Sequence, residues 1–292
     1  MESSIVTSVF LPLALGIIML GLGLSLTLAD FKRVVVMPKA IIVGLVCQML
    51  ILPFVCYGIA KAVGLPPVLA VGLMLLAASP GGATANLFSH LAKGDVALNI
   101  TLTAVNSVLS VISLPIIVNL SMKLFMQESA TIPLQVKEVL QVFAVVLVPT
   151  GIGMLVRAKK LNLALRMEKP VRIASAVFLV LIIAAAVAGQ RQNLVDFFKQ
   201  VGIAALLFNL ASMGLGYLIP RLVRLSKRQS VAIGMEVGIH NGTLAIVIAT
   251  TLLNNAAMSI PAAIYSLIMF FTAAGFAFIV NRSKIDEEPA AG

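Results

Sequence analysis

Ser79-Pro80-Gly81-Gly82-Ala83-Thr84-Ala85-Asn86 and Glu236-Val237-Gly238-Ile239-His240-Asn241-Gly242-Thr243 interrupt two otherwise apolar stretches with small and polar residues. Irregular backbone at membrane depth is tolerated only where protein or a polar cavity satisfies its amides and carbonyls. Two such interruptions in corresponding positions of the two halves point to a secondary transporter. Glu236 is the one acidic residue well inside any apolar span, so a coupling ion is expected there.

The rest of the chain suits a bilayer. Apolar residues fill 60% of its 292 positions and charged residues 11%, with a mean hydropathy of +1.09. A soluble domain holds about 45–50% apolar residues. Apolar stretches of about 20 residues read as helices and give nine expected spans, near 6–28, 40–62, 68–89, 96–122, 138–156, 171–189, 200–220, 231–253 and 260–281. The expected fold class is an all-α polytopic membrane protein.

A net charge of +10 raises nucleic acid as a partner, and the placement of the cations answers it. With the N-terminus outside, 16 of the 21 basic residues fall on inner segments, leaving Lys61, Lys123, Lys137, Arg191 and Lys199 at outer ends. The positive-inside rule accounts for that asymmetry, with N-out and C-in topology. The lipid bilayer is therefore the expected partner and nucleic acid is not; an anionic-lipid site between spans five and six is the other reading of the basic cluster there. The first apolar stretch has no basic n-region and no small-residue cleavage site, and reads as a retained span. That start, without a targeting extension, fits a bacterial inner membrane. Cys47 and Cys56 lie nine residues apart on one expected helix, about 13 Å along its axis, too far to bridge without strain.

The interrupted spans are the third and eighth. An offset of five is odd, so equivalent helices enter the membrane in opposite directions. Residues 40–122 and 200–281 then form two inverted three-helix units, and the spans near 6–28, 138–156 and 171–189 form a second layer.

A Pro-Gly-Gly run inside a span frees carbonyls and amides from the helical ladder. Freed carbonyls coordinate hard cations, and the half-helix beyond the run offers amides and partial positive charge to an anion. A lone Pro-Gly pair is more often a packing kink; a second break carrying a carboxylate favours the functional reading. A charged Glu at mid-bilayer costs at least ~2.5 kcal/mol and needs a partner. Since no Lys or Arg lies deep inside any span, Lys61 and Arg172 standing at span ends, the partner is a cation, a proton or His240, four residues on. Carboxylate, amide, hydroxyl and backbone oxygens are hard ligands that suit Na⁺. Asn99, Thr103 and Asn106 stand at i, i+4 and i+7 and line one stripe of span four; a cavity wall and interhelical hydrogen bonding both account for such a stripe.

These residues carry a resemblance. Pro80-Gly81-Gly82 with Asn86, then Lys93-Gly94-Asp95, and later Glu236-Val237-Gly238-Ile239-His240-Asn241 are similar to the bile acid:sodium symporter family, over essentially the whole chain. The resemblance implies a core domain of two inverted units whose broken helices cross, packed against a panel domain, in the nine-span form that lacks the first panel helix. It places one Na⁺ near Asn86, Asn99, Thr103 and Glu236. A second would lie near Gln48, Glu236, His240 and the backbone oxygens of Val237 and Ile239. Two departures bear on this: Ala85 stands where many members have a hydroxyl residue, and His240 where they have Gln. Imidazole is a poorer Na⁺ ligand than an amide oxygen, which weakens the second site.

The expected function is sodium-coupled transport of a small or amphipathic organic anion, such as a bile acid, pantoate or a keto acid, by alternating access. Its carboxylate would meet Thr84, Asn86 and the Asn241-Gly242-Thr243 turn. One rival keeps the fold and couples to protons through Glu236 and His240. Another, an intramembrane enzyme, lacks an activated nucleophile, so no catalytic residue is assigned.

Overall fold

The computed structural model describes residues 11–82, 84–126, 136–189 and 194–282. Among these the regular elements are all helices: α1 (Leu11–Ser25), α2 (Leu28–Val36), α3 (Pro38–Val46), α4 (Leu52–Val63), α5 (Pro67–Ala78), α6 (Thr84–Leu91), α7 (Val96–Met126), α8 (Val136–Lys159), α9 (Leu161–Gly189), α10 (Leu194–Leu222), α11 (Lys227–Gly238), α12 (Gly242–Val247) and α13 (Ile260–Arg282). A π turn at Cys47–Ile51 joins α3 to α4, and another at Ile248–Leu252 extends α12.

By length and composition, four described helices can cross a membrane: Pro38–Val63, Val96–Met126, Phe198–Leu222 and Ala256–Arg282. The pair α1 and α2, bent by 63° between them, makes a fifth if it is counted as one span. The chain is therefore a multi-pass membrane protein. The bend falls at the end of the expected span near 6–28, whose first residues lie outside those described, and α2 follows it as a separate helix. At the bend Thr27 caps α2: the Asp30 carboxylate accepts from its amide at 2.7 Å and its hydroxyl at 2.8 Å, and Arg33 pairs with Asp30. Within 68–89 and 231–253, the two interrupted stretches, α5 and α6, and α11 and α12, are separate helices. Local sequence sets the other ends. Pro66-Pro67 opens α5, Gly64 closes α4 at φ +71°, and Ser226 with Gln229 forms a capping box at α11.

The helices pack in two groups. α1 lies on α8 and α9, while α3 to α7 and α10 to α13 pack around α7, α10, α11 and α13. The α1–α8 seam uses small residues, as membrane helices do where lipid gives no hydrophobic drive. A Cβ on Gly23 would enter the Thr150 backbone, and one on Gly153 would come 2.5 Å from the Leu20 carbonyl.

Candidate ion and substrate site

The two breaks meet. α5 ends in extended backbone at Ser79, and α11 stops at Gly238 because Ile239 leaves the helix at φ −112°, ψ 89°. The loose strands then pair in antiparallel fashion, Gly81 opposite His240. Gly82 N–H donates to Ile239 O at 2.7 Å, and Asn241 N–H donates to Pro80 O at 2.9 Å. Groups orphaned by each break are thus satisfied by the other, as a medium without water requires. The Asn241 side chain caps α12, its Oδ1 accepting from Leu244 N–H at 3.0 Å.

Glu236 sits on the last turn of α11, fully buried. Its carboxylate accepts from Thr103 Oγ1 at 2.6 Å and Asn106 Nδ2 at 3.1 Å. The first is short, as expected when the acceptor is charged. Gly81 lies directly against the carboxylate, and a Cβ there would overlap it. One turn back on both helices, Asn99 Nδ2 donates to Ala232 O at 2.7 Å. Three amide oxygens in this part of the fold are buried with no donor: the Oδ1 atoms of Asn86, Asn99 and Asn106. Asn86 is on α6, which packs against both α7 and α11, but no hydrogen bond among the described residues joins it to Glu236. Buried oxygens without donors are uncommon in folded proteins, and a cation satisfies them.

His240 belongs to a second group. Its Nδ1 lies 3.3 Å from Ser79 O and 3.5 Å from Gln48 Nε2, and Gln48 Nε2 itself donates to Ser79 O at 2.9 Å. His240 Nε2 and Gln48 Oε1 are buried without partners. The ring stacks on Phe208 at 5.6 Å and meets the edge of Tyr265 at 5.4 Å. This corrects the expected i, i+4 pairing with Glu236. The helix ends at Gly238, so the shared face is lost and the imidazole turns to the first break instead. Val237 lies in the last turn of α11, and the Ile239 carbonyl already accepts from Gly82. Thr84 opens α6 half-buried, while Asn241, Gly242 and Thr243 are buried where α12 begins.

Sequence reasoning places Asn106 on the stripe of α7 without giving it a role; its i+3 position from Thr103 is the available signal. Gly81 is legible as part of a break but not as the neighbour of Glu236. Asn209 stands out in the sequence as a polar residue at depth and Tyr265 does not, but nothing local points either of them to the Gly238 carbonyl, 29 and 27 residues away. Among the described residues there is no group of three or more His, Cys, Asp or Glu. One carboxylate among neutral oxygens suits a hard monovalent ion better than zinc or a charge-dense divalent site.

Comparison with known proteins agrees with this chemistry. The model of the Sodium Bile acid symporter family matches residues 12–197. The chain belongs to that family. An uncharacterized sodium-dependent transporter of Bacillus subtilis is 30% identical over 260 residues, 89% of this chain and 79% of that protein. A chloroplastic protein of Arabidopsis thaliana, named as a probable sodium/metabolite cotransporter, is 32% identical over 272 residues, 92% and 66% of the two chains. The human ileal sodium/bile acid cotransporter is 26% identical over 242 residues, 82% and 69%. Members of the family are thus named as transporters.

Proposed function

We propose that this chain is a sodium-coupled symporter of an organic anion. One observation carries the proposal: a fully buried carboxylate, Glu236, without a basic partner among its described contacts, beside amide oxygens that lack donors. In this reading Na⁺ binds Glu236 with oxygens of Asn86, Asn99 and Thr103, and Thr103 keeps donating to the carboxylate while its lone pairs face the ion. A single Na⁺ accounts for these atoms. The second set, Gln48, Val237, Ile239 and His240, supports an ion less well, since Ile239 O is engaged and His240 offers imidazole. The organic anion meets Thr84, Asn86, Asn241, Gly242 and Thr243 at the half-helix ends; the relatives' names make a bile acid or a small metabolite the first class to try, and pantoate and keto acids are this reading's own choices within the second.

Alternating access is often built on two inverted units, and local geometry supports them here. Gly64 and Arg224 are left-handed at φ 71° and 63°, each inside the same turn: Leu65 N–H to Ala60 O, and Leu225 N–H to Pro220 O. Lys93 and Asn254 repeat the match at φ 56° and 48°. Both left-handed pairs are offset by 160 or 161 residues. The crossing bonds are reciprocal under nearly the same offset, Gly82 to Ile239 and Asn241 to Pro80. We assign residues 40–122 and 200–281 to the core and α1, α8 and α9 to the panel, in a nine-span protein with the N-terminus outside a bacterial cell membrane.

A thermal-shift screen of the purified protein against organic anions, with and without Na⁺ at fixed pH, tests the proposal. A cognate anion at 100 times its Kd should stabilise by about 2.7 kcal/mol, and only when Na⁺ is present. Uptake that ignores Na⁺ and tracks an inward proton gradient would transfer the coupling to protons. Asn86→Ala and Thr103→Ala should each raise the Na⁺ concentration for half-maximal stabilisation, tenfold per ~1.4 kcal/mol of lost coordination. Unchanged titrations in both would place the ion elsewhere.

A further inference from the structure

The last carbonyl of α11, Gly238 O, is held by two buried donors from other helices: Asn209 Nδ2 on α10 at 3.0 Å and Tyr265 Oη on α13 at 2.9 Å. This is an unusual concentration. A carbonyl at a helix end is ordinarily left to water or a cap, and here two fully buried side chains converge on one. The same two elements grip the next residues of the chain. Phe208, next to Asn209, stacks on His240 with rings 17° from parallel, Tyr265 meets the same imidazole edge-on, and Phe208 and Tyr265 touch at 5.7 Å. The first break has a counterpart to only part of this device. Gln48, from the span preceding that break, donates to Ser79 O at 2.9 Å and reaches Ala77 O at 3.4 Å. Gln48 and Asn209 are 161 residues apart, the spacing that relates the two halves. Residue 105, the position matching Tyr265 at an offset of 160, is a valine, whose side chain has no donor. Both breaks thus present a carbonyl approached by two buried side chains, Ser79 O by Gln48 and His240 and Gly238 O by Asn209 and Tyr265, but only at the second do both come from outside the crossing.

We propose that Asn209 and Tyr265 are positioning residues that fix the direction in which the chain leaves α11, and so place His240 and Asn241 for the substrate side of the site. Neither bonds to Glu236 or to its partners. Glu236 precedes Gly238 and is held separately by Thr103 and Asn106, so the clamp governs the chain beyond the ion-binding turn rather than the turn itself. The inference rests on the sodium-symporter reading for its functional consequence, and on geometry alone for its structural one.

The test compares wild type with Tyr265→Phe, Asn209→Ala and the double variant, in detergent or nanodiscs, by hydrogen exchange and by thermal shift against NaCl alone. Loss of one buried hydrogen bond should speed amide exchange in 239–243 and at 81, 82, 84 and 85 by about tenfold, and loss of both by more than the product, because the carbonyl is then orphaned. The Na⁺ concentration for half-maximal thermal shift should stay within about twofold of wild type in the single variants. Added Na⁺ should slow exchange in 239–243 in wild type and do so much less in the double variant. Tyr265→Phe removes one oxygen and keeps the ring, so it reports even if the double variant does not fold. Unchanged exchange in Tyr265→Phe and Asn209→Ala would overturn the proposal, as would a tenfold shift of their Na⁺ titrations, which would make these residues part of the ion site. A wild type that ignores Na⁺ while the variants still exchange faster would refute the sodium reading and leave the clamp standing.

Discussion

Glu236→Gln should abolish the response to Na⁺ without unfolding the protein. The substitution keeps the size of the side chain and removes the one charge that the site offers a cation. Among its described partners Glu236 has hydroxyl and amide donors and no basic residue, so nothing else there attracts the ion by charge. A carboxylate inside a bilayer is costly when no cation accompanies it. In the absence of Na⁺ the neutral variant should therefore melt at the same temperature as wild type or above it. With NaCl added, wild type should rise and the variant should not; a loss of Na⁺ affinity of a hundredfold or more corresponds to ~2.7 kcal/mol. Glu236→Ala should lose the same response and also some packing. Sodium-dependent stabilisation that survives in Glu236→Gln would mean that the ion binds away from this carboxylate.

Gly81→Ala should be nearly as damaging, though it adds a single methyl group. The new Cβ would occupy the place of the Glu236 carboxylate. Either that side chain leaves Thr103 and Asn106, or the two breaks separate at Gly81 and His240. Overpacking of this kind costs typically ~1–3 kcal/mol, and here it falls on the ion site itself. The expected result is a lower melting temperature together with an Na⁺ affinity reduced at least about tenfold, ~1.4 kcal/mol. Gly58→Ala is the control: a Cβ there meets nothing within 4 Å, and in a helix Ala is favoured over Gly by up to ~1 kcal/mol. If Gly81→Ala melts and binds Na⁺ as Gly58→Ala does, the breaks do not approach as closely as described.

The placement of the two breaks is legible in the sequence because Pro80-Gly81-Gly82 and Gly238 with Asn241-Gly242 are poor continuations of a helix and stand inside apolar stretches too long to be loops. Glu236 is legible for a similar reason, as a charge where charge is expensive. What the breaks do to each other is not. Reciprocal bonds between residues 80–82 and 239–241 depend on how the halves meet, and no local pattern encodes that. The His240 side shows the cost of local reasoning. Four-residue spacing places it beside Glu236, yet that spacing means adjacency only while the helix lasts, and α11 stops between them. The short helix beyond Thr27 escapes a hydropathy reading because Asp30, Lys32 and Arg33 interrupt the apolar run there. Thr27 and Asp30 announce a helix start, and hydropathy alone does not register one.

The reciprocal bonding of the breaks also has a consequence for how the chain is made. Pro80 and Gly82 are synthesised roughly 160 residues before the segment that completes them, Ile239 to Asn241. At ~5–20 residues per second that delay is on the order of ten to thirty seconds. During it the first break holds an unpaired carbonyl and an unpaired amide at a depth where each costs several kcal/mol if it faces lipid. The nascent first half is therefore expected to wait in a hydrated or protein-lined environment, such as the insertion machinery, and not to enter lipid as a finished unit. Truncation between α9 and α11 should then leave a fragment that is held at the insertion site or degraded, whereas supplying the second half as a separate chain should release it into the bilayer.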